Sequence, residues 1–179
     1  NKYRLVTWLK DVVEIRNNEV VKKDLQGTYW DGINLNNLTK EGNVTFANGK
    51  KPEALISRII NMTTEEGDYV LDSFLGSGTT AAVAHKMKRK WIGIEMGQQA
   101  YDIAKIRLDR VIEGVDEGGI TKESQWNGGG GYRFYELAPS LLEKHPILPI
   151  YQVNNDYTFE MLCEAICKLE GFKYEPIGE

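Results

Sequence analysis

The 179-residue sequence predicts an α/β fold built on a parallel sheet. Three observations carry this. The apolar run Tyr69-Val70-Leu71 reads as a short buried strand that ends in a carboxylate, Asp72. Phe74-x-Gly76-x-Gly78 follows, then Thr79, Thr80 and the small residues Ala81, Ala82 and Ala84, which is a tight glycine turn opening a helix. A second apolar run, Trp91-Ile92-Gly93-Ile94, ends in Glu95. The strand at 69–72, the helix at about 79–88 and the strand at 91–95 make a right-handed β-α-β unit. A turn at the carboxyl end of a parallel strand is where open α/β sheets bind nucleotide-like ligands. The amide donors of the helix's first turn point into the same space.

The flanking segments follow in order. Residues 3–15 carry apolar side chains at a spacing that suits an amphipathic helix, with enough β-branching to leave a strand open. Residues 24–50 are polar and asparagine-rich, a loop with a short strand at Val44-Thr45-Phe46. Pro52 sits at the first turn of a helix whose buried face is Leu55, Ile56, Ile59 and Ile60. A further helix at about 98–113 buries Tyr101, Ala104, Leu108, Val111 and Ile112. Residues 114–131 are rich in glycine and read as a flexible loop. Trp126 within it is either a loop anchor or a contact for cofactor or DNA. Tyr132-Arg-Phe-Tyr-Glu-Leu137 reads as a strand, Pro139, Pro146 and Pro149 punctuate a connection, and a last helix spans about 158–170.

Composition bounds the function. Hydrophobic content of 41% and charged content of 27% are ordinary for a globular domain. The net charge of −4 is unlike a self-sufficient DNA-binding domain, which is basic on at least one face. The dense basic run His85-Lys86-Met87-Lys88-Arg89-Lys90 falls at a helix end, where it reads as a solvated cap or as a contact for DNA phosphates. No apolar run approaches the ~20 residues that span a membrane; a cytoplasmic location is expected. Cys163 and Cys167 lie in a helical apolar stripe and read as small core residues. His85 and His145 have no metal-ligand spacing, so no metal is expected.

Two ligand classes compete for the glycine turn. Gly76-x-Gly78-x-x-Ala81 with Glu95 about 20 residues on matches the dinucleotide fingerprint. A pyrophosphate beside Asp72 would meet like charge. S-adenosylmethionine has no phosphate, and its ammonium and sulfonium favour a carboxylate there. Glu95, at the end of the next strand, suits ribose hydroxyls in either class. A glycine turn without a ligand is the third possibility.

Asp72-Ser-Phe74-Leu-Gly76-Ser-Gly78-Thr-Thr80 resembles motif I of the amino-group DNA methyltransferases. Ile92-Gly93-Ile94-Glu95 resembles their motif II, and Lys51-Pro52-Glu53-Ala54-Leu55-Ile56 the motif X that precedes motif I in the permuted β group. Gly49-Lys-Lys-Pro-Glu-Ala-Leu-Ile56, Ala84-His-Lys-Met87 and Gly128-Gly-Gly-Gly-Tyr-Arg-Phe-Tyr135 bring the resemblance closest to Mod, the modification subunits of type III restriction–modification systems. It runs from about Tyr29 to Pro176. These enzymes hold the target amine through an Asp/Asn/Ser-Pro-Pro-aromatic tetrapeptide. The prolines here are Pro52, Pro139, Pro146, Pro149 and Pro176, and no two are adjacent. The sequence is therefore expected to be the C-terminal portion of a longer protein, with the tetrapeptide and the target-recognition region upstream.

The resemblance implies a Rossmann-like S-adenosylmethionine-dependent methyltransferase fold, a partial sheet with flanking helices. It implies an N-terminal segment at 1–28, a cofactor-binding core at 29–150 with motifs X, I, II and III, and a helical extension at 151–179. The implied reaction is methylation of adenine N6 in DNA, with no catalytic residue in this chain and little activity of the chain alone. Asp72 would face the methionine ammonium, and Phe74 would pack on the cofactor. Gly76, Ser77 and Gly78 would give close backbone approach. Thr79 and Thr80 would cap the helix or touch the methionine carboxylate. Glu95 would hold the ribose, and Lys51 and Pro52 would border the methionine end. Implied partners are DNA, mainly through the upstream region, a second copy of the chain and a restriction subunit. The rivals are an N4-cytosine methyltransferase fragment, a non-catalytic cofactor-binding or subunit-docking module, and a dinucleotide oxidoreductase.

Overall fold

The computed structural model describes residues 12–16, 18–22, 27–30, 32–33, 38–46 and 49–175. They fall in two compact units, Asn1–Gly131 and Tyr132–Glu179. Most of the helix expected at 3–15 lies outside the described residues. Its end is a strand, β1 (Val13–Arg16), paired antiparallel with β2 (Glu19–Lys22) in the register Val13↔Lys22 to Arg16↔Glu19. The β-branched side chains prevail over the helical spacing here. Asn18 turns the hairpin in the left-handed region, at φ 66.

The first unit is organised around the expected β-α-β. Strand β3 (Tyr69–Asp72) pairs in parallel with β4 (Lys90–Gly93), Tyr69 opposite Lys90 and Asp72 opposite Gly93. Ahead of them, helix α1 (Glu53–Thr63) starts at Pro52, whose φ of −67 suits the cap position. Helix α2 (Thr79–Lys86) joins the strands and is buried almost all round, with Ala81, Ala82, Val83 and Ala84 at 0–1% exposure. Small residues let its neighbours approach closely. The core is Ile60, Val83, Ala84 and Ile120, flanked by Ile56, Val70, Met87 and Trp91. One face of the sheet, Val70 and Trp91, meets this core, and Tyr69, Leu71, Ile92 and Ile94 on the other stay more than half exposed. Ile59 also points outward, against the expected inward face of α1.

The single helix expected at 98–113 is two pieces. A π-helical turn covers Ala100–Lys105, and α3 runs from Ile106 to Glu113, ending at Gly114. Ala104, Leu108 and Val111 are buried as expected, but Tyr101 is exposed. Arg107 lies between them in the helical repeat, on the same inward face, and is fully buried. Residues 38–46 contain one 3₁₀ turn, Leu38–Lys40, and no strand covers Val44-Thr45-Phe46.

The glycine-rich stretch 114–131 is tied down rather than loose. Asp116 and Ile120 are buried, Gly129 N donates to Ile112 O at 2.7 Å, and Trp126 Nε1 donates to Val111 O at 2.7 Å. Trp126 stands edge-on to His85, with ring centroids 5.2 Å apart, so it anchors the loop.

In the second unit no strand covers 132–137. Alternation of side chains sets which faces a strand would present, but a strand exists only as a ladder with a partner. A hairpin stands instead at the proline-punctuated connection: β5 (Leu142–Lys144) against β6 (Tyr151–Val153), with Leu142 opposite Val153. His145 Nδ1 accepts from the amides of Ile147 and Leu148 and shapes its loop. Helix α4 (Phe159–Leu169) is capped by Thr158, whose Oγ1 accepts from Met161 N at 3.3 Å. Cys163 and Cys167 are free and half-buried on it.

Candidate functional site

Parallel pairing ends β3 and β4 side by side, so Asp72 and Glu95 emerge at the same sheet end. Between them lies the turn 73–78. Asp72 Oδ1 accepts from Phe74 N at 3.1 Å, which starts the turn, and Phe74 stands 89% exposed beyond it. Leu75 N donates to Ile94 O at 2.9 Å and ties the turn back to the segment after β4. Gly76 has φ 55, and its N–H donates to Glu95 Oε2 at 2.7 Å. That bond joins two residues 19 positions apart that motifs I and II single out separately.

Glu95 is well fixed. Its Oε1 accepts from Gly97 N at 2.9 Å and from Gln99 Nε2 at 2.7 Å. The Gly97 amide, outweighing slight burial and joined by the amides of Gly76 and Met96 and by Gln99, holds its carboxyl below the usual range. Glu95 is thus a charged acceptor at the rim of the turn. A side-chain carbon built on Gly76 would meet nothing closer than ordinary van der Waals contact, the backbone oxygen of Phe74 lying 3.8 Å away. The nearest side chain is Phe46, whose Cζ would lie 3.9 Å away. Phe46, read from the sequence only as part of a short strand, is not among the candidate site residues, because nothing local links it to the glycine turn.

The remaining expected residues separate into two groups. Lys51 is exposed, Pro52 is buried at the start of α1, and Thr80 is half-buried. Ser77 and Thr79 are each 4% exposed and turn inward, away from the rim. Ser77 Oγ lies 3.2 Å from Thr79 Oγ1, and Thr79 Oγ1 accepts from Arg107 Nη1 at 2.6 Å. The α2 cap is Gly78, with φ 77 and no side-chain cap bond, so neither threonine occupies the cap position.

Beneath the turn lies a buried ionic cluster. Glu53 Oε1 accepts from Arg107 Nη2 at 2.7 Å, and its Oε2 from Lys86 Nζ at 2.8 Å and Ile120 N at 3.1 Å. Lys86 also reaches Asp116 Oδ2 at 2.7 Å. Burial pushes the Asp116 carboxyl up, but Lys86 and the amides of Gly118 and Gly42 outweigh it and hold the carboxyl low. Two cations and two carboxylates balance. Lys86 is therefore no DNA contact and no solvated cap, because its side of α2 faces the protein interior and two carboxylates from other segments neutralise it there. Arg89 donates to Thr64 O at 2.8 Å and Met87 O at 2.9 Å, satisfying carbonyls at the ends of α1 and α2. Lys88, paired with Glu66 at 3.7 Å, and Lys90, over the Tyr69 ring at 5.1 Å, remain exposed.

The chain is 49% identical over 160 residues to a probable type III restriction–modification enzyme HindVI Mod subunit of Haemophilus influenzae, covering 88% of this chain and 21% of that protein. It is 50% identical over 60 residues to the type II methyltransferase M2.DpnII of Streptococcus pneumoniae, 34% of this chain and 22% of that protein. A crystal structure of M1.HpyAVI in complex with SAM matches with a TM-score of 0.36 at 30% identity, covering 55% of this chain and 44% of that one. The chain spans between 21% and 36% of the length of the curated relatives it matches. The N6_N4_Mtase family model, described as DNA methylase, matches residues 2–106, and the chain belongs to that family.

Proposed function

We propose that this chain forms the S-adenosylmethionine-binding part of a site-specific DNA adenine-N6 methyltransferase of the type III modification kind. The observation that carries the reading is the 2.7 Å bond from the Gly76 amide to Glu95, with Asp72 at the end of the adjacent parallel strand. The residues present fit that cofactor. Asp72 suits a cationic end, the Phe74 ring is free to cover an apolar or π surface, and Glu95 suits vicinal hydroxyls. When bound, the cofactor supplies an electrophilic methyl group. This chain's work is positioning it.

The target amine's lone pair is delocalised into the base, so its activation needs groups that accept the N–H hydrogens. With no adjacent prolines, this sequence lacks the tetrapeptide for that task, and we assign the task to another part of the protein. The base must leave the duplex to be reached. DNA is the proposed substrate, and a second copy and a restriction subunit are proposed partners. No helix among the described residues is long and apolar enough to cross a membrane.

Titration calorimetry with S-adenosylmethionine on wild type, Asp72→Ala and Glu95→Ala tests the assignment. Each variant removes a charge-assisted contact, so binding should weaken about tenfold or more. Equal affinities for all three, or displacement of the ligand by an adenine dinucleotide, would overturn it.

A further inference from the structure

We propose that Arg107, through Thr79 and Glu53, is a positioning residue of the cofactor site: it holds the glycine turn in its binding shape from beneath. The proposal rests on the cofactor reading above. Arg107 lies in α3, outside every motif that the sequence singles out, and is completely buried. Its Nη1 donates to Thr79 Oγ1 at 2.6 Å and to Ser77 O at 3.3 Å, and its Nη2 to Glu53 Oε1 at 2.7 Å. Ser77 and Thr79 flank Gly78, the residue in the left-handed region at φ 77. One guanidinium therefore fixes a carbonyl on one side of Gly78 and a hydroxyl on the other. Both contacts come from Nη1, while Nη2 rests on Glu53, so the planar guanidinium is held at one arm as the other holds the turn.

Stability alone does not explain this arrangement. A buried ion pair is a weak stabiliser, and apolar residues of similar volume often serve as well. An apolar side chain at 107 would fill the space but take the guanidinium donor from Ser77 O and leave Thr79 Oγ1 only the Ser77 hydroxyl. Glu53 belongs to the segment around Pro52, and it is itself set by Lys86 and the Ile120 amide. The turn is thus pinned twice: at its rim by Glu95 on Gly76, and beneath by Arg107 on Ser77 and Thr79. Fixing the turn before the ligand arrives lowers the ordering cost of binding. Thr79 on this view acts inward, through Arg107, and not on the methionine carboxylate.

Thr79→Val removes the hydroxyl at nearly constant shape, and Thr79→Ser keeps it. Two readouts are taken on the 179-residue chain: amide hydrogen exchange at 76–79 without ligand, and affinity for S-adenosylhomocysteine by calorimetry. Loss of a hydrogen bond to a charged donor should speed exchange at 76–79 and weaken affinity, each by about tenfold. Exchange in the middle of α2 should not change, and Thr79→Ser should restore both readouts. Lys105→Ala, at an exposed pair with Asp109, is the control that should change neither. Wild-type exchange in Thr79→Val, or equal damage from Val and Ser, would overturn the proposal. Exchange altered while affinity stays at the wild-type level would also overturn it. Should the wild type bind no cofactor, the cofactor reading falls and the positioning role falls with it, while the exchange arm still reports whether Arg107 pins the turn.

Discussion

At the scale of single residues, the charged groups around the start of α1 respond to burial in opposite ways. Burial pushes the Glu41 carboxyl up; its bond from Glu53 N, at 3.0 Å, opposes this, and the Glu53 charge adds to it. Lys50 Nζ donates to the carbonyls of Glu41 at 2.6 Å and Val44 at 2.8 Å. Burial, reinforced by the nearby Arg107 charge, brings Lys50 down to about 8, against about 10.4 for a free lysine. Between these values the unfolded chain binds more protons than the folded one. Lys50 thus disfavours folding most below about pH 8, where it is charged in both states, and this penalty fades as pH rises toward about 10.4. Urea unfolding of wild type and Lys50→Met across that range should show wild type gaining on the variant with rising pH. A constant difference would mean that Lys50 keeps its ordinary pKa in the folded protein.

At the scale of elements, the turn and α2 depend on one close approach. A side-chain carbon on Gly78 would lie 3.3 Å from Ala104 Cα, tighter than ordinary contact, and Gly78 has φ 77. The left-handed conformation alone costs a non-glycine residue about 1–2 kcal/mol. Gly78→Ala should therefore lower unfolding free energy by at least about that amount, read from the urea midpoint at unchanged slope. A midpoint equal to wild type would show that neither the left-handed conformation at 78 nor the approach to Ala104 carries the expected cost. The glycine turn was legible because its residue types are demanded locally. The π-helical turn was not, since its apolar spacing is that of an ordinary helix.

At the scale of the whole molecule, charge limits what the chain can hold. The net charge is −4, and the basic run at 85–90 contributes fewer surface cations than its composition suggests. Lys86 is sealed inside, and Arg89 is occupied by carbonyls, leaving Lys88 and Lys90 exposed. Two phosphate contacts from this run would give log K against log salt a slope of about −2. Fluorescence anisotropy with random duplexes should show weak binding of that salt dependence and no sequence preference. Tight, selective binding that survives moderate salt would place a DNA reader in this chain.

The sequence by itself determined the β-α-β unit and the rim of the candidate site. Asp72, the glycine turn and Glu95 are local punctuation: apolar runs ending in carboxylates, and glycines where the backbone must bend. Helices α1, α2 and α4 were legible for the same reason, through caps and apolar spacing. Only the tertiary structure decided the rest. That Lys86 and Arg107 are core residues depends on Glu53, 33 and 54 positions away, and on Asp116 in a loop that reads as flexible. A charged side chain enters a core only when distant partners neutralise it, and no local pattern announces those partners. The same holds for the hairpin at 142–153 and the absent strand at 132–137, because a ladder is a property of two segments and the alternation of one does not choose its neighbour.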